Sequence, residues 1–234
     1  MLNGEVSRVT DLFRETKKNP FRILNATPSD SRESLIEKQR EMELFGEKKE
    51  GEQALSALLY PQSRLEAEIH WFPNTANEEI NRLLAYVSNP QGFQPVPQFR
   101  TDSFLARFNA LKLQLMIFPV SETKDLVALI HSLSTVADAL LPGQVTEEIN
   151  RDREKAGFSL LQKAGELDAQ LTGLLRETVR AYLEAFSART DRMELKRFGE
   201  LLRTEMKNRK SPYHNSFLLD LSSEEFSLQS SKDP

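Results

Sequence analysis

Apolar residues recur along this chain at intervals of three and four, the spacing that gathers them on one face of a helix. Leu35, Ile36, Met42 and Phe45 form one such stripe, and Asp30 or Ser31 supplies an N-cap oxygen just after Pro28. Ala54, Leu55, Leu58 and Leu59 form a facing stripe, with the loop Gly46-Glu47-Lys48-Lys49-Glu50-Gly51 between the two. Pro61 interrupts, and Leu65, Ile69 and Phe72 at i, i+4 and i+7 place a third stripe on a further short helix, followed by a trailing helix over 77–88. These stripes bury one another. A unit this small is marginal alone, so it is expected to lean on its neighbours.

Residues 89–98, Asn-Pro-Gln-Gly-Phe-Gln-Pro-Val-Pro-Gln, read as a linker or boundary, with Val96 and Phe99 apolar enough to lie along a surface. Beyond it the helical period continues. Thr101-Asp102-Ser103 caps a helix carrying Phe104, Leu105, Phe108, Leu111, Leu115 and Ile117 up to Pro119. Ser121 caps the next, in which Leu126, Leu129, Ile130, Leu133, Val136, Ala137 and Leu140 precede Pro142-Gly143. Thr146 with Glu147-Glu148 is expected to start a third, long helix. From Leu160 its stripe runs through Ala164, Leu167, Leu171, Leu174, Thr178, Ala181 and Ala185, widened by Leu161, Leu175 and Tyr182, a pattern suited to an antiparallel bundle. Gly157, Gly165 and Gly173 are read as glycines tolerated within it, although small residues on neighbouring turns also permit self-association. Thr190-Asp191 breaks it, and a last helix carries Met193, Leu195, Phe198, Leu201, Leu202 and Met206.

Strand signals are nearly absent, so the expected fold is all-α: an N-terminal helical hairpin unit followed by a C-terminal antiparallel helical bundle with a long helix. The corresponding division is 1–88 for the hairpin unit, 89–100 for the Pro/Gln-rich linker, 101–210 for the bundle and 211–234 for a flexible tail. The tail strings Phe217, Leu218, Leu219 and Leu221 among serines and acids, a segment able to strap onto its own bundle or enter a partner's groove.

Residues 19–72 resemble the J-domain co-chaperone family. The likeness is carried by Asn19-Pro20-Phe21-Arg22-Ile23-Leu24-Asn25, by the charged amphipathic segment that follows, and by the turn Leu58-Leu59-Tyr60-Pro61-Gln62-Ser63-Arg64 into a fourth helix. The family's His-Pro-Asp tripeptide, which joins its second and third helices and triggers ATP hydrolysis in a DnaK-type chaperone, does not occur. Two glycines stand in that loop instead, with no imidazole. Over 32–50 the bases Arg32, Lys38, Arg40, Lys48 and Lys49 face the acids Glu33, Glu37, Glu41, Glu43, Glu47 and Glu50, so no strong steering field is expected. The resemblance implies a degenerate J-like scaffold that docks or competes at a DnaK-type chaperone without stimulating it.

Composition narrows the remaining choices. Hydrophobic residues at 39% and charged residues at 28% suit a soluble globular chain, and a net charge of −4 argues against a dedicated nucleic-acid binder. The bases Lys207, Arg209 and Lys210 are read as the solvated end of a helix. No cysteine is present, which fits a cytoplasmic location, and no secretory leader or spanning segment is read from the pattern. His70, His131 and His214 are isolated from one another, and no phosphate loop or nucleophile elbow occurs. No catalytic, cofactor-binding or metal-ligating residues are therefore expected, and the chain is read as a non-enzyme. At His70-Trp71-Phe72, the two rings are expected to anchor the hairpin unit to the following helix, with the imidazole at the edge.

The expected function is that of a co-chaperone-like adaptor binding protein partners through helical surfaces, with Lys38, Arg40, Lys48, Lys49, Phe217, Leu218, Leu219 and Leu221 as candidate contacts. The alternative is a structural subunit of a homo- or hetero-oligomeric assembly in which the J-like region is only packing.

Overall fold

The computed structural model describes residues 16–88, 99–117, 135–137, 139–162, 165–187, 200 and 204. Its helices are α1 Pro20–Ile23, α2 Arg32–Leu44, α3 Lys48–Leu59, α4 Pro61–Ile69, α5 Asn77–Ser88, α6 Phe104–Ile117, α7 Pro142–Ala156 and α8 Gly165–Ser187. Among the described residues there is no strand, and the chain is all-α. No helix there is long and apolar enough to cross a membrane.

Two compact units divide the chain. One takes Phe13–Ala110 with Leu140–Leu171, and the other takes Met1–Leu12, Leu111–Ala139 and Thr172–Pro234. In the second unit the described part of α8 buries Leu174 and Thr178, whose hydroxyl donates to Leu174 O at 2.7 Å. The first unit holds the hairpin and the groups that pin its base. The linker residues 89–98, the helix read from Ser121 to Leu140, apart from 135–137 and 139–140, and the helix after Thr190, apart from Glu200 and Thr204, lie outside the described residues.

Within the first unit, α2 packs on α3, α1 packs on α3, and α3 packs on α4. Leu35, Ala54, Leu58, Leu65 and Ile69 are buried as their spacing predicts. Ser31 is the N-cap of α2, accepting from Ser34 N at 3.2 Å. Asp30 acts one turn earlier, accepting from Thr27 N at 2.6 Å and from the Ser34 hydroxyl at 2.7 Å. Asn19 caps α1 by accepting from Phe21 N at 3.1 Å, and its amide donates to Ala67 O at 2.9 Å, so one side chain starts α1 and ties it to α4.

Three expectations are corrected. The loop between α2 and α3 is residues 45–47, since α3 already begins at Lys48. Only Gly46 lies in it, with φ +84°, a conformation that favours glycine. Gly51 is buried inside α3, where a Cβ would sit 3.4 Å from Met42 Cβ and 3.5 Å from Gln39 Cγ. It is a close-approach residue of the α2–α3 contact. Phe45 is likewise no member of the α2 stripe. Helix α2 ends at Leu44, and beyond that point helical spacing no longer says which way a side chain faces.

The third expected helix is two helices. Pro142, expected in a break, is the first residue of α7, where its missing N–H costs nothing. Gly157, expected inside a helix, ends α7 in the left-handed region at φ +70°, with Phe158 N donating to Arg153 O at 2.9 Å. Leu160 is consequently 42% exposed in the connection to α8 and lies off any helical stripe. The stripe resumes as expected with Leu167, Leu171, Leu174 and Thr178 buried.

Opposite effects are expected at the two hairpin glycines. Gly51→Ala meets ordinary contact distances and gains helix propensity, so it should stabilise by up to about 1 kcal/mol. Gly46→Ala has open space but a strained backbone, and should cost about 1 kcal/mol. Urea unfolding followed by circular dichroism checks both.

Candidate docking surface

The base of the hairpin is fixed by charge where an apolar contact would be usual. Arg64, the arginine of the Pro-x-x-Arg turn, is 1% exposed. Its guanidinium donates from Nε to Glu68 Oε1 at 2.8 Å, from Nη2 to Pro28 O at 2.8 Å and from Nη1 to Leu58 O at 3.3 Å. Arg153 of α7 meets the same carboxylate, with Nε and Nη2 donating to Glu68 Oε2 at 2.9 and 2.8 Å. The Phe158 ring covers the cluster, with Arg64 Cζ 3.6 Å from its centroid. Burial pushes the Glu68 carboxyl above its ordinary range, while its bonds and attraction to Arg153 and Arg64 pull the other way. Burial likewise lowers the Arg64 guanidinium from its usual value against the pull of Glu68. Neither effect makes a guanidinium neutral at physiological pH, and the cluster is a structural pin.

Neighbouring polar groups extend it. Asp152 accepts from the Ser29 hydroxyl at 2.5 Å and from Asn74 N at 2.8 Å. Glu148, expected to serve the start of its own helix, instead accepts from Phe104 N at 2.8 Å and from the Ser103 hydroxyl at 2.6 Å. A carboxylate on α7 thus balances the positive end of α6. Asn109 on α6 donates to Ile69 O at 2.9 Å and Trp71 O at 2.7 Å, closing the end of α4. Trp71 and Phe72 are both buried beneath it, in contact with Phe21 and Phe99 respectively, and His70 is half-buried at the edge.

The far end of the hairpin has the opposite character. Leu44 is 85% exposed and Phe45 is 83% exposed, side by side where α2 gives way to Gly46. Two consecutive large apolar side chains left in water at a turn are a candidate contact for a partner. Between α1 and the first turns of α3 lies an open groove of about 490 Å³. Its apolar surface comes from Pro20, Ile23 and Ala54, with Gln53 and Glu50 alongside and Lys18 and Lys49 as exposed cations.

The sequence-read contacts fall unevenly on this end. Lys49 lines the groove. Lys48 lies 3.8 Å from both Glu43 and Glu52, so its charge is balanced on the hairpin surface. Lys38 is turned to the base, donating to Asn25 O at 2.8 Å, and Arg40 is exposed on α2. Phe217, Leu218, Leu219 and Leu221 lie outside the described residues, as do His131 and His214. Sequence reasoning missed Leu44, Phe45, Lys18 and Ile23 as surface features, and Glu148, Asp152 and Arg153 as buried ones. For the last three a signal was present: they share the i, i+3, i+4, i+7 stripe of α7 with Val145, Ile149 and Ala156, so charges stand at core positions.

Among the described residues no group of three or more His, Asp or Glu could hold a metal ion. Comparison with known proteins returned no matching family model, no matching curated protein and no matching solved structure.

Proposed function

We propose that the chain is a non-enzymatic, co-chaperone-like adaptor that docks protein partners through the α2–α3 end of its hairpin. The observation that carries this reading is the exposure of Leu44 and Phe45 at the tip of a hairpin whose base is pinned by buried ions. An apolar tip on a rigid support loses little conformational freedom on binding. The order of a short helix, a helical pair and a fourth helix after Pro61 supports the J-like reading of residues 19–72, which makes a DnaK-type chaperone the first partner to test. A tip of Leu-Phe-Gly with neither imidazole nor aspartate supports docking without ATPase stimulation.

Binding of the intact protein to a DnaK-type chaperone, measured by interferometry with ATP and with ADP, tests it. Binding without faster ATP hydrolysis is expected, and Phe45→Glu should weaken it at least tenfold. Absence of binding in both nucleotide states removes this partner. The second reading, an assembly subunit in which the hairpin is packing, draws on the 2.8 Å pair between Arg153 and Glu68, which makes the hairpin base part of a larger core. A stable high-order oligomer that ignores the chaperone would favour it.

A further inference from the structure

The hairpin end carries both a projection and a recess. Leu44 and Phe45 form the projection, flanked by Glu43 and Glu47. The groove of Pro20, Ile23 and Ala54 forms the recess, flanked by Lys18 and Lys49 with Glu50 between α1 and α3 as the one acid of its lining. Neither lysine makes a hydrogen bond or ion pair among the described residues. The two features are close together, because Lys49 follows Phe45 by four residues across a tight turn, and α3 rises only about 1.5 Å per residue from there. The groove volume of about 490 Å³ is of the size that takes a small organic group.

The geometry points to a second copy of this chain as the occupant: the Leu44/Phe45 projection of each copy enters the α1–α3 groove of the other about a two-fold axis. This rests on reading the hairpin end as a docking surface and names its resting partner. Adjacency is what favours a closed pair. When projection and recess share one end of a molecule, a two-fold satisfies both at once, whereas well-separated complementary patches would generate open filaments. Charge agrees with this pairing in net sign, since Glu43 and Glu47 outnumber Lys48 at the projection and Lys18 and Lys49 outnumber Glu50 at the recess. Two projections and two recesses make a contact at the small end of specific interfaces, so the pair is reversible, and a protein partner at the tip competes with it.

Sedimentation equilibrium on the full chain tests this over a hundredfold range of concentration. The wild-type mass should rise with concentration from 26.8 kDa towards twice that value. Phe45→Glu should hold it at the monomer. Lys18→Glu/Lys49→Glu and Glu43→Lys/Glu47→Lys should each be monomeric with unchanged circular dichroism, because acid then faces acid or base faces base. Mixed in equal amounts, the two charge-reversed proteins should pair again. A wild type that stays monomeric throughout overturns the inference, and so does a dimer that survives these changes or reversed proteins that fail to pair. Chaperone binding by the wild-type protein, at a concentration where it is monomeric, reports on the adaptor reading separately. Loss of the dimer alone leaves that reading standing, and loss of chaperone binding alone leaves the dimer standing.

Discussion

Glu68→Ala is expected to lower the stability of this protein by about 3–5 kcal/mol, the range for removing one partner of a buried ion pair. The carboxylate is 1% exposed and accepts from two guanidiniums at 2.8 to 3.2 Å, so its loss strands two cations in the interior. Arg64 would keep Pro28 O and Leu58 O, and Arg153 would keep Ser159 O, but no anion among the bonded groups replaces the missing one. Replacing all three residues with apolar side chains of similar volume should cost far less, because no charge is then left unpaired. Urea unfolding measured by circular dichroism checks this. A loss under about 1 kcal/mol for Glu68→Ala would mean that the cluster is open to water.

Trp71→Ala should cost a similar amount, about 3–5 kcal/mol. The ring is 2% exposed, lies 6.3 Å centroid to centroid from Phe21 and meets Phe72 edge-on at 5.2 Å, so truncation opens a cavity where α1, α4 and α6 are joined. Trp71→Phe should be much milder. Among the described residues the indole Nε1 is buried without a hydrogen-bond partner, so removing it sacrifices no bond there. Because Trp71 is the sole tryptophan, wild-type fluorescence reports the unfolding of this unit directly, and the variants are followed by circular dichroism. Equal losses for the two variants would contradict this packing.

How much of this was legible in the sequence follows from what helical periodicity measures. Spacing alone found α2, α3 and α4, though not where α3 begins, and found Leu35, Ala54, Leu58, Leu65 and Ile69 of their buried residues, because each stripe has a neighbour close in sequence. It counted Phe45 as core because period is blind to where a helix stops, and Gly46 was the sign of that stop. It merged α7 with α8 because Gly157 was counted as a helical interior residue, although a glycine followed by Phe158 also fits a C-terminal cap. It could not see that Glu68 meets Arg153, since a contact 85 residues apart leaves no local trace. Charges on an apolar stripe, at Glu68 and Asp152 as at Glu148, were the available hint. The docking end was half legible: Lys49 was named from the sequence, while the groove beside it needs Lys18 and Ile23 brought across by the packing of α1 on α3.

The adaptor account is tested most directly by hydrogen exchange on the intact protein, at a concentration where it is monomeric, with and without a DnaK-type chaperone. Slowed exchange confined to peptides covering residues 40–54, with the base of the hairpin unchanged, is the predicted result. Unchanged exchange in those peptides while the chaperone protects another part of the chain would contradict it.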